Sequence, residues 1–334
     1  MHYISTKEGF RGSAIYDLHD HDQNANNIGD GNNDVDDDNS YDKPNLAATC
    51  FALQILIILK DENLVKRIDR YKILNYLVRC QLGDGSFAPG LDIDGYPFGE
   101  NDLRYCMIGA TIRFLLGFSN GVKPHDGYQD INVLKFQEYI KSIQSYDGGF
   151  GIFKMSESHA GICFCGLSAL VLSDYNDNSN HNTEEKLIEK VDVEKLTRFL
   201  VFRQVSSDDD NDGGFNGRLN KDSDTCYCFW VTSSLFLIKR QNLIDFDQLS
   251  KFLINHTQNK IMGGFNKSTD PDDTPDPLHS FLGLAALSLI SNDELNNGGK
   301  NPFLSGLNLN LKKIDPKVVI SKESYDFGIN LKWK

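Results

Sequence analysis

Two kinds of hydrophobic segment alternate along this chain. The first is amphipathic, with apolar residues at i, i+3, i+4 and i+7: KILNYLVRCQ at 72–81, VLKFQEYIKSIQ at 133–144, VEKLTRFLVFRQ at 193–204 and FDQLSKFLINHTQ at 246–258. The second is apolar on nearly every face and rich in small residues: 43–61, NDLRYCMIGATIRFLLGF at 101–118, SHAGICFCGLSALVLS at 158–173, DTCYCFWVTSSLFLI at 224–238 and DPLHSFLGLAALSLI at 276–290. A glycine turn links each amphipathic stretch to the next apolar one, as in QLGDGSF, QSYDGGF, RQVSSDDDNDGGF and TQNKIMGGF, repeating at roughly fifty to sixty-five residues. The pattern predicts an all-α chain of repeated helix hairpins, with amphipathic outer helices and inner helices buried on more than one side.

Parallel inner helices in such a series form an α/α barrel, or toroid. Asp102, Ser158, Asp224 and Asp276 stand where inner-helix N-caps belong, so the polar residues near them gather on one rim, where the helix dipoles favour an anion. Five inner and four outer stretches fall short of a six-pair ring, and the N-terminal helix pair that would close it is expected to be absent. Residues 1–42 read as an N-terminal segment carrying the Asn/Asp-rich run 17–40, which is too polar to offset the entropy of ordering, and 43–334 as the barrel domain. The polar stretches 174–186 and 206–212 read as loop insertions.

Composition narrows the function. Seven cysteines in no short-spaced framework argue for reduced thiols and a cytoplasmic location. FALQILIIL at 51–59 is too short to span a membrane, and a net charge of −13 with no basic stripe disfavours nucleic acid.

The candidate chemistry lies at the turns. Asp224 and Cys226 open one inner helix and His279 opens the next, so a carboxylate, a thiol and an imidazole meet across one helix contact. Each has an ordinary role alone: N-cap, small buried hydrophobe, core histidine. Together, at equivalent positions of adjacent repeats, they fit a zinc site with an open fourth position, which is the arrangement of a catalytic metal. Arg218, Lys221, His159, Tyr227 and Lys267 fall on the same rim and suit a diphosphate leaving group, against the ordinary role of loop cations as solvated charges. Cys163, Cys165 and Cys228 read as core packing. The acidic strings DVDD at 34–37, DDDND at 208–212 and DDTPD at 272–276 lie in low-complexity or proline-broken sequence and read as solvated loop acids.

The GGF turns, ESHAGICFCGLSAL, GGFNGRLNKDSDTCYCFW and GGFNKSTDPDDTPDPLHSFLGLAALSLI resemble the β subunits of protein prenyltransferases from Gly9 to about Ile290. The resemblance implies an isoprenoid diphosphate in the barrel's funnel, zinc on residues matching Asp224, Cys226 and His279, and diphosphate held by those matching His159, Arg218, Lys221 and Tyr227. Phe164, Phe229 and Trp230 would line the funnel. Arg104, with Glu100 nearby, would meet the carboxylate of a peptide ending in a CaaX motif, and an α subunit would be the obligate partner.

GFRGS, GENDLR at Gly99 and GGFNK at Gly263 look most like the type I geranylgeranyltransferase, with geranylgeranyl diphosphate as donor and small GTPases as acceptors. Lys267 stands where the farnesyl and Rab-type enzymes tend to carry an aspartate, which implies no magnesium requirement. Asn45 departs from the usual histidine, so recognition of the peptide carboxylate is altered, and the region that selects isoprenoid length in relatives is missing. The alternatives are a farnesyltransferase or Rab-type β subunit, a terpene cyclase-like toroid using DVDD, and an inactive truncated binding module.

Overall fold

The computed structural model describes residues 8–12, 43–118, 124–125, 127–173, 190–205, 212–292 and 310–333. The DVDD string, most of DDDND and the run 17–40 lie outside them. In chain order the elements are α1 (Leu46–Ile58), α2 (Leu64–Arg67), α3 (Arg70–Arg79), the strands β1 (Gly90–Leu91) and β2 (Pro97–Phe98), α4 (Leu103–Leu115) and α5 (Val133–Ile143). There follow α6 (Ala160–Ser173), α7 (Val193–Val201), α8 (Thr225–Leu237), α9 (Phe246–Lys251), α10 (Pro277–Ser291) and α11 (Lys322–Ile329). Helices α1, α4, α6, α8 and α10 are the expected inner ones, and α3, α5, α7 and α9 the expected outer ones.

Successive inner helices pack side by side, α1 on α4, α4 on α6, α6 on α8 and α8 on α10. The alternation of segments is thereby explained: α6 is buried along almost its whole length, whereas α5 buries only Phe136, Ile140 and Ile143. The stretch 246–258 does not run as one regular helix but widens into a π turn over Phe252–Thr257. Phe252, Leu253 and Ile254 are all buried in that turn.

The repeats are joined by a recurring glutamine. Gln144 ends an outer helix and donates to the Gly148 and Asp192 carbonyls at 2.9 and 3.0 Å, while its Oε1 accepts the Asp192 N–H at 2.9 Å. Gln204 does the same with Gly213 and Asp245, and Gln81 with Gly85 and Asn132. Each amide thus uses both donor hydrogens and its acceptor to tie one repeat's turn to the next outer helix. The phenylalanine of each turn, Phe87, Phe150, Phe215 and Phe265, is fully buried. Gly148 shows why the turn needs glycine: its φ is +91°, and a Cβ there would lie 2.3 Å from the Lys195 carbonyl carbon. Near the N-terminus Phe10 is packed in the same core, its N–H donating to Thr49 Oγ1 at 3.0 Å.

All the inner helices run the same way. Their N-terminal ends meet neighbouring turns, through Leu46 N–H to Pro89, Ala160 N–H to Gly217 and Thr225 N–H to Lys267. Their opposite ends are crossed by a C-terminal strap, 310–321, whose carbonyls accept from Ser168, Ser233 and Ser288 at 2.6–2.8 Å and from Gln54 at 3.0 Å. Among the described residues α1 and α10 each pack closely on one inner neighbour. Their other faces expose Phe51, Ile55 and Ile58, and Leu278, Phe281 and Leu284.

Candidate metal centre and anion site

The start of α8 carries both of its metal-competent residues. Asp224 is the N-cap, its Oδ1 accepting the Cys226 N–H at 2.8 Å, and Cys226 projects from the first turn. The next repeat is pinned beside it: Thr225 donates its N–H to the Lys267 carbonyl and its hydroxyl to the Asn266 carbonyl, at 2.8 and 2.7 Å. These bonds set α10 against α8 so that His279 Nε2 comes to 3.3 Å from Asp224 Oδ1.

Asp224, Cys226 and His279 each offer a ligand atom, and the three atoms lie within 4.8 Å of one another. Ligands about 2.0–2.3 Å from one tetrahedral ion stand about 3.3–3.8 Å apart, so a small inward movement of side chains suffices. One oxygen, one sulfur and one nitrogen suit zinc, and three protein ligands leave a fourth position for another group. The surroundings of Cys226 are unfavourable to a bare thiolate: burial first, then the Asp224 carboxylate, hold its pKa well above the ordinary thiol value. A divalent cation reverses both effects, so the site fits the metal.

Asp276 has a second role there that the sequence did not reveal. It is the N-cap of α10, Oδ1 accepting from Leu278 and His279 N–H at 2.8 and 3.0 Å, with Pro277 at the first helical position. Its other oxygen lies 2.5 Å from His279 Nδ1. That bond fixes the ring with Nε2 toward Asp224, and it holds the Asp276 carboxyl below the usual carboxylate range. Read from DDTPD, this residue is an N-cap within a string of solvated acids; Asp273, also from that string, accepts from the N–H and the hydroxyl of Ser268.

The anion candidates divide. His159 and Tyr227 touch, Nε2 to Oη at 2.8 Å, and Arg218 binds Glu157 at 3.1 Å in a half-exposed pair. Lys267 joins the centre through its backbone and has an exposed side chain. Lys221 is also exposed, and its carbonyl accepts from Asn216. Trp230 packs against Phe164 and Phe229 one turn beyond Cys226, at centroid distances of 4.9 and 5.2 Å. Cys163, Cys165 and Cys228 are buried, and burial pushes Cys163 and Cys165 up to about 12.

One expectation changes in detail. Ser158 does not cap α6: its hydroxyl donates to Asp147 at 2.6 Å, and His159 Nδ1 takes the Gly161 N–H instead. Arg104 lies on α4, two inner helices from Asp224, with its guanidinium on Asp102 at 2.6–3.1 Å and on Glu100 at 3.1 Å. A buried aspartate one residue before an N1 position gives no sequence sign that it also holds a guanidinium.

Residues 1–320 match the family model of the prenyltransferase alpha-alpha toroid domain. The chain belongs to the prenyltransferase α/α toroid family. Within that family it is 36% identical over 264 residues to a geranylgeranyl transferase type-1 subunit beta of Arabidopsis thaliana, covering 78% of this chain and 63% of that one. The Dictyostelium discoideum subunit of the same name is 34% identical over 254 residues, covering 74% and 60%. This toroid chain thus spans about three fifths of the length of those relatives. A solved structure of Candida albicans protein geranylgeranyltransferase-I complexed with GGPP aligns with a TM-score of 0.69 at 36% identity, over 87% of this chain and 75% of that one. Among the described residues no helix is long and apolar enough to cross a membrane.

Proposed function

We propose that this chain is the β subunit of a zinc-dependent protein geranylgeranyltransferase of type I. It would join the geranylgeranyl group of geranylgeranyl diphosphate to the cysteine of a C-terminal CaaX motif on a small GTPase, in a cytoplasmic complex with an α subunit. The observation that carries this reading is the convergence of Asp224, Cys226 and His279 at one rim, beside His159, Tyr227 and Arg218. It is supported by the names of the relatives and by the GGPP with which the aligned Candida albicans enzyme is complexed.

In the reaction a carbon–sulfur bond forms at the first isoprenoid carbon, the carbon–oxygen bond to diphosphate breaks, and the acceptor thiol gives up its proton. Zinc, when bound, supplies the positive charge that lowers the pKa of the acceptor thiol. Asp224, Cys226 and His279 are the side chains that would hold it. The hydroxyl of Tyr227 and the cations of Arg218, Lys221 and Lys267 stabilise the charge that grows on the departing diphosphate, which is where fixed donors act most strongly. Lys267 provides a cation without magnesium, so turnover needs none. Trp230, backed by the fully buried Phe164 and Phe229, offers the apolar wall an isoprenoid needs. Arg104 and Glu100 address the peptide terminus.

The test is co-expression with a cognate α subunit, followed by competition between farnesyl and geranylgeranyl diphosphate on peptides ending in Leu or in Met or Ser. Preferential geranylgeranyl transfer to the Leu peptide is expected, in magnesium-free buffer. Transfer of farnesyl alone contradicts the assigned donor, and conversion of the lone diphosphate without peptide contradicts the assigned class.

A further inference from the structure

The glutamine joint between outer helices occurs three times, and at one of them it carries more charge than the joint requires. Gln81, Gln144 and Gln204 each follow an outer helix and bind the N–H and the carbonyl of the residue that opens the next, Asn132, Asp192 and Asp245. The residue before each of these, Ile131, Val191 or Ile244, is buried at every joint. Three further places surround the joint: the third residue before the glutamine, the second before the helix cap and the third after it. They are Val78, Asp130 and Lys135 at the first joint, and Val201, Leu243 and Gln248 at the third. At the middle joint all three are lysines, Lys141, Lys190 and Lys195. The other two joints keep the same bonds without such a set, so the fold does not need it. At the first joint, moreover, Asp130 is spent on Arg113 and Lys135 on the Gly83 carbonyl, at 2.7–2.9 and 3.0 Å.

The three lysines line one cleft of about 440 Å³, together with Gln144, Ser145 and Asp192. Its walls are fixed. The Gln144–Asp192 bonds at 2.9 and 3.0 Å hold the end of α5 against the start of α7, and the buried Val191 and Val193 anchor the chain on either side of Asp192. Among the described residues Asp192 is the only carboxylate of the lining, and it is engaged within α7. Its Oδ1 accepts the Lys195 N–H at 3.0 Å, and its Oδ2 lies 3.1 Å from Lys195 Nζ. Three ammonium groups against one carboxylate make a positive cleft on a chain whose net charge is −13. Like charges held together repel, and an anion placed between them reverses that cost. Lys190 is half-buried, and burial lowers its pKa to about 8.

The lining also selects the anion. Lysine ammonium groups are compact point charges with three donors each, which suit a tetrahedral phosphate; planar, two-pronged recognition of a carboxylate is the geometry of arginine. Among the described residues no aromatic ring lines the cleft, so a nucleobase has nothing to stack on. A cleft of this size admits a small molecule. We propose that the cleft between the end of α5 and the start of α7 is a binding site for a phosphate group, held by Lys141, Lys190 and Lys195. It is separate from the metal centre and from His159, Tyr227 and Arg218, none of which lines it, and it does not depend on the function proposed above.

The test reads the lysines one by one. The full chain is exposed briefly to an amine-acylating reagent near neutral pH, and the label at each lysine is measured by peptide mass spectrometry. Inorganic phosphate is present in one arm and replaced by chloride at equal ionic strength in the other. Only the neutral amine reacts, and a bound phosphate raises the pKa of the lysine beside it. Each unit of that rise cuts the neutral fraction about tenfold, so phosphate should lower labelling of Lys190 on the order of tenfold. The exposed Lys72 and Lys260, outside the cleft, should label equally in both arms. Lys141→Met should raise the phosphate concentration needed for protection about 10–100-fold, as loss of one charged donor does.

A third arm replaces phosphate with phosphatidylcholine vesicles containing a phosphatidylinositol phosphate. Protection of Lys190 by free phosphate identifies a soluble ligand, and protection by these vesicles alone identifies a lipid headgroup; both uphold the site. Equal protection by chloride, or a Lys190 that labels at the same rate with phosphate, with vesicles and with neither, overturns the proposal.

Discussion

Asp276 offers a perturbation whose two consequences can be separated. Its Oδ1 caps α10 and its Oδ2 holds His279 Nδ1, so one residue serves both helix stability and the orientation of the proposed metal ligand His279. Asp276→Ala removes both; Asp276→Asn keeps a good cap, because asparagine accepts at that position as well as aspartate, but it replaces a charged acceptor beside Nδ1 with an amide. Loss of the cap costs about 1 kcal/mol, within a range of ~0.5–2. Loss of the outer carboxylate on a ligating histidine lowers metal affinity about 10–100-fold, or ~1.4–2.7 kcal/mol. Urea denaturation of the metal-free protein reads the first quantity, and zinc competition against a chromophoric chelator reads the second. Asp276→Asn should unfold within ~0.5 kcal/mol of wild type while binding zinc 10–100-fold more weakly, and Asp276→Ala should show both losses. Wild-type zinc affinity in Asp276→Asn would refute the reasoning and leave Asp276 as a cap alone.

Other outcomes follow from the same geometry. Gly217→Ala puts a Cβ 2.2 Å from Tyr227 Cζ, so it should displace the ring and lower single-turnover rates by about 10–100-fold while zinc content stays at the wild-type level. Phe150→Ala or Phe215→Ala empties a fully buried turn position and should destabilise the protein by about 3–5 kcal/mol in urea denaturation. Ser233→Ala leaves the Pro316 carbonyl of the strap without its donor, at about 1–3 kcal/mol, and should speed limited proteolysis within 310–321. Thiol alkylation at pH 8 should leave Cys50, Cys163 and Cys165 unmodified in the folded protein, since burial raises each to about 12.

Much of the fold was legible because the repeat writes it several times. Contrasting apolar faces separate α5 from α6 and α7 from α8, and each Gly-Phe turn marks the joint. The cluster of Asp224, Cys226 and His279 was legible for the same reason: an N-cap and two first-turn residues of consecutive inner helices fall at neighbouring points of one rim. Less legible were contacts that no period encodes. Arg218 meets Glu157 and Arg104 meets Asp102 across loop or helix-end geometry set by rotamers. The choice of His159 over Ser158 as the α6 cap depends on where that helix starts, and a one-residue shift in a start is invisible to an apolar pattern. The strap at 310–321 has neither helical nor strand alternation. Its place is fixed by serine hydroxyls on the inner helices, and a serine in an apolar helix gives no sign of which carbonyl it will meet.

The central claim is that the Asp224–Cys226–His279 group is a catalytic zinc site. It is tested most directly by zinc content and prenyl transfer, measured together in the complex with an α subunit, for wild type and Cys226→Ala. The account predicts about one zinc per β subunit with transfer to the peptide cysteine in wild type, and neither in Cys226→Ala. Full zinc and full transfer in Cys226→Ala would contradict it.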